Sequence, residues 1–185
     1  MDIIHIYTDG ACSGNQLETN IGGYGAILVY GKHEKEIYGG EINTTNNKME
    51  MLALIEGLKA IKKPSHDVYV YSDSSYLINC FKEKWYIKWQ SNNWMTSQKT
   101  PVENKDLWEE LISLIENHDV TFYRVKGHIS LKSKKTDIPK HYEKFLQVNG
   151  PKFDVDEFKE IVKRNNRADE LANVFIEEYK AKSVI

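Results

Sequence analysis

The stretch Asp67-Val-Tyr-Val-Tyr-Ser-Asp73-Ser-Ser-Tyr76 drives an alternating run of strong strand formers straight into a carboxylate. Val68 and Val70 alternate with Tyr69 and Tyr71, the two-residue period of a β-strand. Asp73 sits where that strand gives out, and a helical run from Tyr76 to Phe81 follows. In an open α/β sheet, ligands bind in the crevice beyond the carboxyl ends of strands, which makes Asp73 a candidate site residue. A single Asp before Ser-Ser is ordinarily a helix cap, so a functional reading requires further carboxylates converging on it.

Other acids stand at comparable places. Ile3 to Asp9 reads as a first strand, ended by the small-residue turn Gly10 to Asn15. Gly22 to Tyr30 and Lys35 to Ile42 read as two more strands around a turn at Gly31 to Glu34, an antiparallel meander with the first. Gly22, Gly23 and Gly25 lack the Lys-Ser/Thr ending of a phosphate loop and predict close backbone approach or bulging instead. Thr44-Thr45-Asn46-Asn47 supplies caps for a helix running to about Lys62, stopped by Pro64. Glu50 lies in its first turns, where the helix dipole alone would favour a carboxylate. A helix from about Asn104 to Glu116, a fifth strand Val120 to Val125 and a loop Lys126-Gly127-His128 follow. The final helix is expected from about Asn166 to Lys180, with Asp169 in its first turn.

The segment 129–164 has a different character, Lys-rich at first and then helical. Tyr142, Phe145 and Leu146 share one helical face, Asn149-Gly150-Pro151 is a turn, and Asp154 to Glu157 starts a second short helix. The fold class expected is therefore α/β, a five-stranded mixed sheet flanked by helices. All 185 residues form a single domain, 1–185, with 129–164 inserted as a helical hairpin.

A net charge of -2 excludes a polycation that coats nucleic acid in bulk, so any such binding must come from local patches. Apolar runs fall short of the ~20 residues that span a bilayer. Cys12 and Cys80 lie far apart and resemble neither a disulfide framework nor a metal knuckle. Met1 to His5 lacks a basic region followed by an apolar core, so a cytoplasmic, membrane-free monomer is expected. Trp85, Trp89 and Trp94, interleaved with Lys84 and Lys88, fit two readings equally. One is a hydrophobic satellite of the core; the other is a platform on which rings meet sugars or bases and lysines meet phosphates.

Asp9, Glu50, Asp73 and Asp169 thus come from two strand ends and two helix starts, an arrangement that a packed α/β domain can bring to one point. Like charges that close raise one another's pKa unless something neutralises them, and divalent cations usually do so. Carboxylates without clustered Cys or His favour Mg2+ or Mn2+ over zinc. Two such ions would activate a water and stabilise the leaving oxygen of a phosphodiester.

Together, Tyr-Thr-Asp9-Gly-Ala-Cys-Ser-Gly-Asn15, Thr44-Thr-Asn-Asn-Lys-Met-Glu50, Tyr-Ser-Asp73-Ser, Val-Lys-Gly-His128 and Asn-Arg-Ala-Asp169-Glu-Leu-Ala resemble type 1 ribonuclease H, in that family's order. The resemblance implies a ribonuclease H-like fold and an endoribonuclease that cuts the RNA strand of RNA/DNA hybrids, leaving 5'-phosphate and 3'-hydroxyl ends. It implies two Mg2+ ions, replaceable by Mn2+, held by Asp9, Glu50, Asp73 and Asp169. His128 would assist proton transfer or product release. Asn15, Asn46 and Asn47 would meet the hybrid's minor groove, where 2'-hydroxyls distinguish RNA from DNA. Thr45 would help hold a DNA-strand phosphate, and Trp85 and Trp89 would belong to a substrate-binding handle. Two positions depart from the family pattern: Ser75 stands where many members carry a longer amide, and the handle tip Gln90 to Asn93 is neutral.

Rival classes are a related nuclease or integrase-like enzyme acting on DNA, and a hybrid-binding module without catalysis. The Asn46-Asn47 helix start and the handle favour the hybrid reading, and the presence of all four acids favours an enzyme. From Trp85 to Thr100 there are two lysines and no acids, whereas Lys126 to Phe145 holds six lysines against Asp137 and Glu143. The second segment could be a plain solvated loop, or Lys132, Lys134 and Lys135 could contact substrate phosphates.

Overall fold

The computed structural model describes residues 2–14 and 19–183. The elements follow the chain as β1 (Ile4–Ser13), β2 (Ile21–Tyr30), β3 (His33–Ile42), α1 (Asn46–Lys59), β4 (Asp67–Ser72), α2 (Ser75–Lys82), α3 (Trp85–Ser91), α4 (Lys105–Ile115), β5 (Asp119–Arg124), α5 (Ile138–Asn149) and α6 (Val155–Lys182). One five-stranded sheet has the order β3-β2-β1-β4-β5. The meander β1 to β3 is antiparallel, whereas β1 with β4 and β4 with β5 are parallel, so the sheet is mixed as expected.

Alternation along β1 and β4 divides the core between the two faces of the sheet. Ile4, Ile6, Val68 and Val70 pack with Met51, Leu54, Ile55 and Leu58 of α1 and with Trp108 and Leu111 of α4. Tyr7, Tyr71 and Tyr123 face the other way, onto Phe153, Phe158, Ile161 and Leu171 around α6. Tyr7 and Tyr71 stack with ring centroids 4.6 Å apart. The three tryptophans of the aromatic stretch lie on or beside α3, where Trp89 packs at 5.5 Å from the wholly buried Trp108. The satellite contacts are therefore real, and they leave Trp85 and Trp89 half-buried rather than enclosed.

Three boundaries differ from expectation, each for a local reason. β1 does not end at Asp9: Gly10 to Ser13 stay paired with Ile21 to Tyr24, small residues that keep the hairpin closed. Helix α1 stops at Lys59, short of Lys62, because the Ala60 and Ile61 amides turn to carbonyls three residues back and tighten the last turn. The helix expected from Asn166 instead begins at Val155, capped by the Asp154 carboxylate, which accepts from the Glu157 amide at 2.8 Å. The hairpin is present, built from α5 and the first half of α6, with Phe158 against Tyr142 and Phe145. Its second helix and the last helix of the chain are one.

Close approach explains the glycines of β2. A Cβ on Gly23 would overlap the Ala172 carbonyl, and one on Gly25 the Ala168 carbonyl, so α6 lies directly on the β2 backbone. Gly25 pairs with Asp9 and Ala168 precedes Asp169, so this contact also brings the acid of α6 to the acid of β1. Gly25→Ala is expected to cost about 1–3 kcal/mol, since a backbone carbonyl cannot swing aside as a side chain can. Urea denaturation will show this; an unchanged midpoint would mean that α6 has room to spare.

Candidate active site

Register places the first two acids. The parallel ladder of β1 and β4 runs from Ile4 opposite Val68 to Tyr7 opposite Tyr71, and continuing it two residues sets Asp9 beside Asp73 on one face. Asp9 is therefore mid-strand in the hairpin with β2, yet lies just beyond the end of the parallel pairing. Glu50 arrives from the opposite face. A Cβ on Gly10 would crowd the Met49 and Glu50 backbone, so the bare glycine lets α1 close over the end of the ladder. One oxygen from each of Asp9, Glu50 and Asp73 lies within 4.8 Å of the others.

The capping explanations for these acids fall away. Ser74, not Asp73, caps α2, its hydroxyl accepting from the Leu77 amide at 3.1 Å. Thr45 caps α1 by accepting from the Lys48 amide at 3.2 Å, and Glu50 lies beyond the first turn, where no acidic residue stands. Asp169 is not in a first turn either; it sits about midway along α6 and lines the same cleft. Its Oδ2 is 3.9 Å from His128 Nδ1.

Asp9 and Glu50 are 4% and 7% exposed, so their charges are almost fully stripped of water. Burial first, then the neighbouring Glu50 and Asp73 charges, push the Asp9 carboxyl well above the usual carboxylate range. Burial and then Asp73 raise Glu50 likewise, and Asp73 is raised chiefly by burial. Glu50 Oε2 is buried without a hydrogen-bond partner among the described residues. An orphaned carboxylate oxygen in an all-oxygen cluster fits a hard divalent cation better than an internal hydrogen bond. Among the described residues this is the one group of three or more acids, histidines and cysteines close enough to hold a metal.

Asn46, Asn47 and His128 line the cleft with the four acids. His128 holds a left-handed backbone, φ 58°, at the tip of its loop. That loop is tied down twice: the Asn149 side chain bonds the Arg124 amide and carbonyl, and Asn166 Nδ2 donates to the Ile129 carbonyl at 2.8 Å. Thr45 flanks the cleft as the cap of α1, while Trp85 and Trp89 sit apart from it on α3. Asn15 lies outside the described residues. Ser75 lines the cleft, as do Cys12 and Asn173, which the sequence reading overlooked. Asn173 donates to the Asp169 carbonyl at 2.9 Å, and its four-residue spacing from Asp169 on one helix face was the available signal.

The geometry has counterparts. A family model described as RNase H matches residues 2–138. A protein named Ribonuclease H from Thermoanaerobacter sp. (strain X514) is 59% identical over 128 residues, 69% of this chain and 80% of that protein. A Ribonuclease H from Clostridium botulinum (strain Hall) is 50% identical over 128 residues, 69% of this chain and 85% of that one. Among solved structures, LC9-RNase H1, a type 1 RNase H with the type 2 active-site motif, aligns at TM-score 0.61 and 28% identity over 69% of this chain and 64% of its own. LC11-RNase H1, solved with an RNA/DNA hybrid, aligns at TM-score 0.56 and 22% identity over 95% of this chain and 98% of its own, a likeness of fold.

The raised carboxyls fix a pH dependence. Their folded-state pKa values exceed those of the unfolded chain, so the stabilisation is complete below about pH 4 and declines as pH rises from there, because the unfolded chain releases protons that the folded site still holds. The metal-free protein therefore loses stability toward pH 8. Asp9→Asn removes one repelling charge and should melt roughly 4 °C or more above the parent at pH 8, with the gap closing near pH 4. A parent at least as stable as the variant at pH 8 without metal would contradict the electrostatic account.

Proposed function

We propose that this chain, which belongs to the RNase H family and is a nuclease of the hydrolase class, cuts the RNA strand of RNA/DNA hybrids endonucleolytically, leaving 5'-phosphate and 3'-hydroxyl ends. The observation that carries the proposal is the convergence of Asp9, Glu50 and Asp73 within 4.8 Å at the end of the parallel ladder, with Asp169 lining the same cleft. Asp9, Glu50, Asp73 and Asp169 would hold two Mg2+ ions, with Mn2+ as substitute. When bound, such ions act as Lewis acids that activate water and stabilise the leaving oxygen of an in-line phosphodiester displacement.

The chain's own side chains then divide the work. The acids fix where the phosphate sits, and their exclusion of water strengthens every charge interaction made there. Asn46 and Asn47, at the first turn of α1 and on the cleft wall, present amides suited to the minor-groove edge of a hybrid, where 2'-hydroxyls mark the RNA strand. Asn15, from the segment after β1, is assigned the same task. Thr45 is assigned a DNA-strand phosphate, beside the cap it forms. Trp85 and Trp89 hold the hybrid farther out, through the half-exposed edges left where Trp85 packs on Trp89 and Trp89 on Trp94 and Trp108. His128, exposed on a loop held at both ends, carries a proton to or from the cut ester or helps the product leave.

Residues 129–164 are read as an insertion in an otherwise single domain. A monomer in the cytoplasm fits two free thiols, Cys12 and Cys80, and exposed apolar side chains scattered over separate elements. Among the described residues no helix is long and apolar enough to cross a membrane.

Asp73→Asn preserves shape while removing a ligand, so hybrid cleavage in Mg2+ should fall by about a thousandfold or more. His128→Ala should cost less, about 10- to 100-fold, because the carboxylates remain. The assay is cleavage of a labelled hybrid beside single-stranded RNA, duplex RNA and duplex DNA. Near-parent activity of a folded Asp73→Asn protein would refute the assignment, and preference for duplex DNA would favour the DNA-nuclease class.

A further inference from the structure

A second groove of about 510 Å³ adjoins the catalytic cleft, sharing Asp73 and His128 with it. One wall is Arg124 and Lys126 at the end of β5; the other is one face of α5, where His141, Lys144, Phe145 and Val148 recur at helical spacing. All but the first residue of helix α5 lies beyond residues 2–138, which the RNase H family model matches. The groove is built rather than incidental. Asn149, at the last turn of α5, bonds both backbone groups of Arg124, at 2.9 and 2.8 Å, standing in for a missing strand partner.

Its chemistry is specific. Arg124, Lys126 and Lys144 form no ion pair among the described residues, and Asp73 is the sole acid in the lining. Three free cations therefore gather at one place in a chain whose net charge is -2. Between them the surface is apolar, with Phe145 and the exposed Val148 on the same face of α5 lining the groove. Cations around an apolar bed match a nucleotide, with the phosphate on the lysines and the base on the His141 ring and Val148. The volume suits one small ligand such as a single nucleotide.

We propose that this groove binds an unpaired nucleotide of the RNA strand just past the cut, so that the protein favours hybrids whose RNA runs on as a single strand. The proposal rests on the hybrid-cutting function above: the strand that is cut is the one lying on Asp73, and the groove opens from there. It also relocates the basic contacts of the insertion. Lys132 lines a separate recess with Lys163 and Arg164 that shares no residue with the catalytic cleft, whereas Lys144 reaches the groove.

The test compares KM for a short blunt RNA/DNA hybrid with KM for the same hybrid bearing an unpaired RNA tail of a few nucleotides at its 3' or 5' end, or a DNA tail. For the parent, an RNA tail at one end should lower KM by about fivefold or more with kcat little changed, and the advantage should shrink as salt rises. Lys144→Ser and His141→Ala, both on the surface of α5, should each bring the blunt-to-tailed ratio back toward one. Equal KM for blunt and tailed hybrids, an advantage from DNA tails alone, or an RNA-tail advantage untouched by both substitutions would overturn the subsite while leaving the nuclease reading intact. A parent that cuts neither hybrid would overturn both.

Discussion

Mutual repulsion among buried carboxylates is the constraint around which this molecule is built. Two unit charges 4 Å apart interact at about 4 kcal/mol even with an effective dielectric of 20. A few such pairs rival the roughly 5–15 kcal/mol by which a domain is stable at all. Asp9, Glu50 and Asp73 are held within 4.8 Å of one another by independent parts of the fold: a strand hairpin, a helix from one face of the sheet, and the end of a parallel strand. Each is anchored by packing that does not involve its charge, so the acids cannot relax apart without unpacking a layer.

The glycines show how the sequence makes room for that. Gly10 lets α1 close on β1, Gly25 lets α6 settle on β2 beside Asp9, and Gly127 lets the His128 loop lie against Asp73. At each place a Cβ would meet backbone or an acid oxygen. The tolerance of the site is thus set by backbone contact, which has no rotamers to adjust. Helix α5 follows the same economy: it is latched through Asn149 to the strand end that leads into the His128 loop, so it borders the chemistry.

Much of this was legible in the residues. Val68 to Asp73, the β1–β3 meander and the capped start of α1 were readable because period and punctuation agreed, and the acids were found because they sat near such punctuation. The reason given for their placement was only half right. Asp9 is mid-strand and Asp169 mid-helix, so two of the four do not mark element ends. Local signals could not show this: the Asp9 strand continues through small residues that resemble a turn, and nothing at Asn166 reveals that the helix is already underway from Val155. Capping was ambiguous for the same reason. Asp73 and Ser74 are both good caps, and only the three-dimensional choice of Ser74 frees the carboxylate. The second groove was beyond reach of the sequence, because its walls lie in β5 and α5 and meet only through tertiary packing.

If the acids are held together against their repulsion for the sake of divalent cations, metal binding must expel the protons that relieve that repulsion. Titrating Mg2+ into the protein calorimetrically at pH 7, in buffers of different ionisation heat, counts those protons directly. The account predicts net proton release on binding, smaller in Asp9→Asn. Binding with no proton release, or with the same release in that variant, would contradict it.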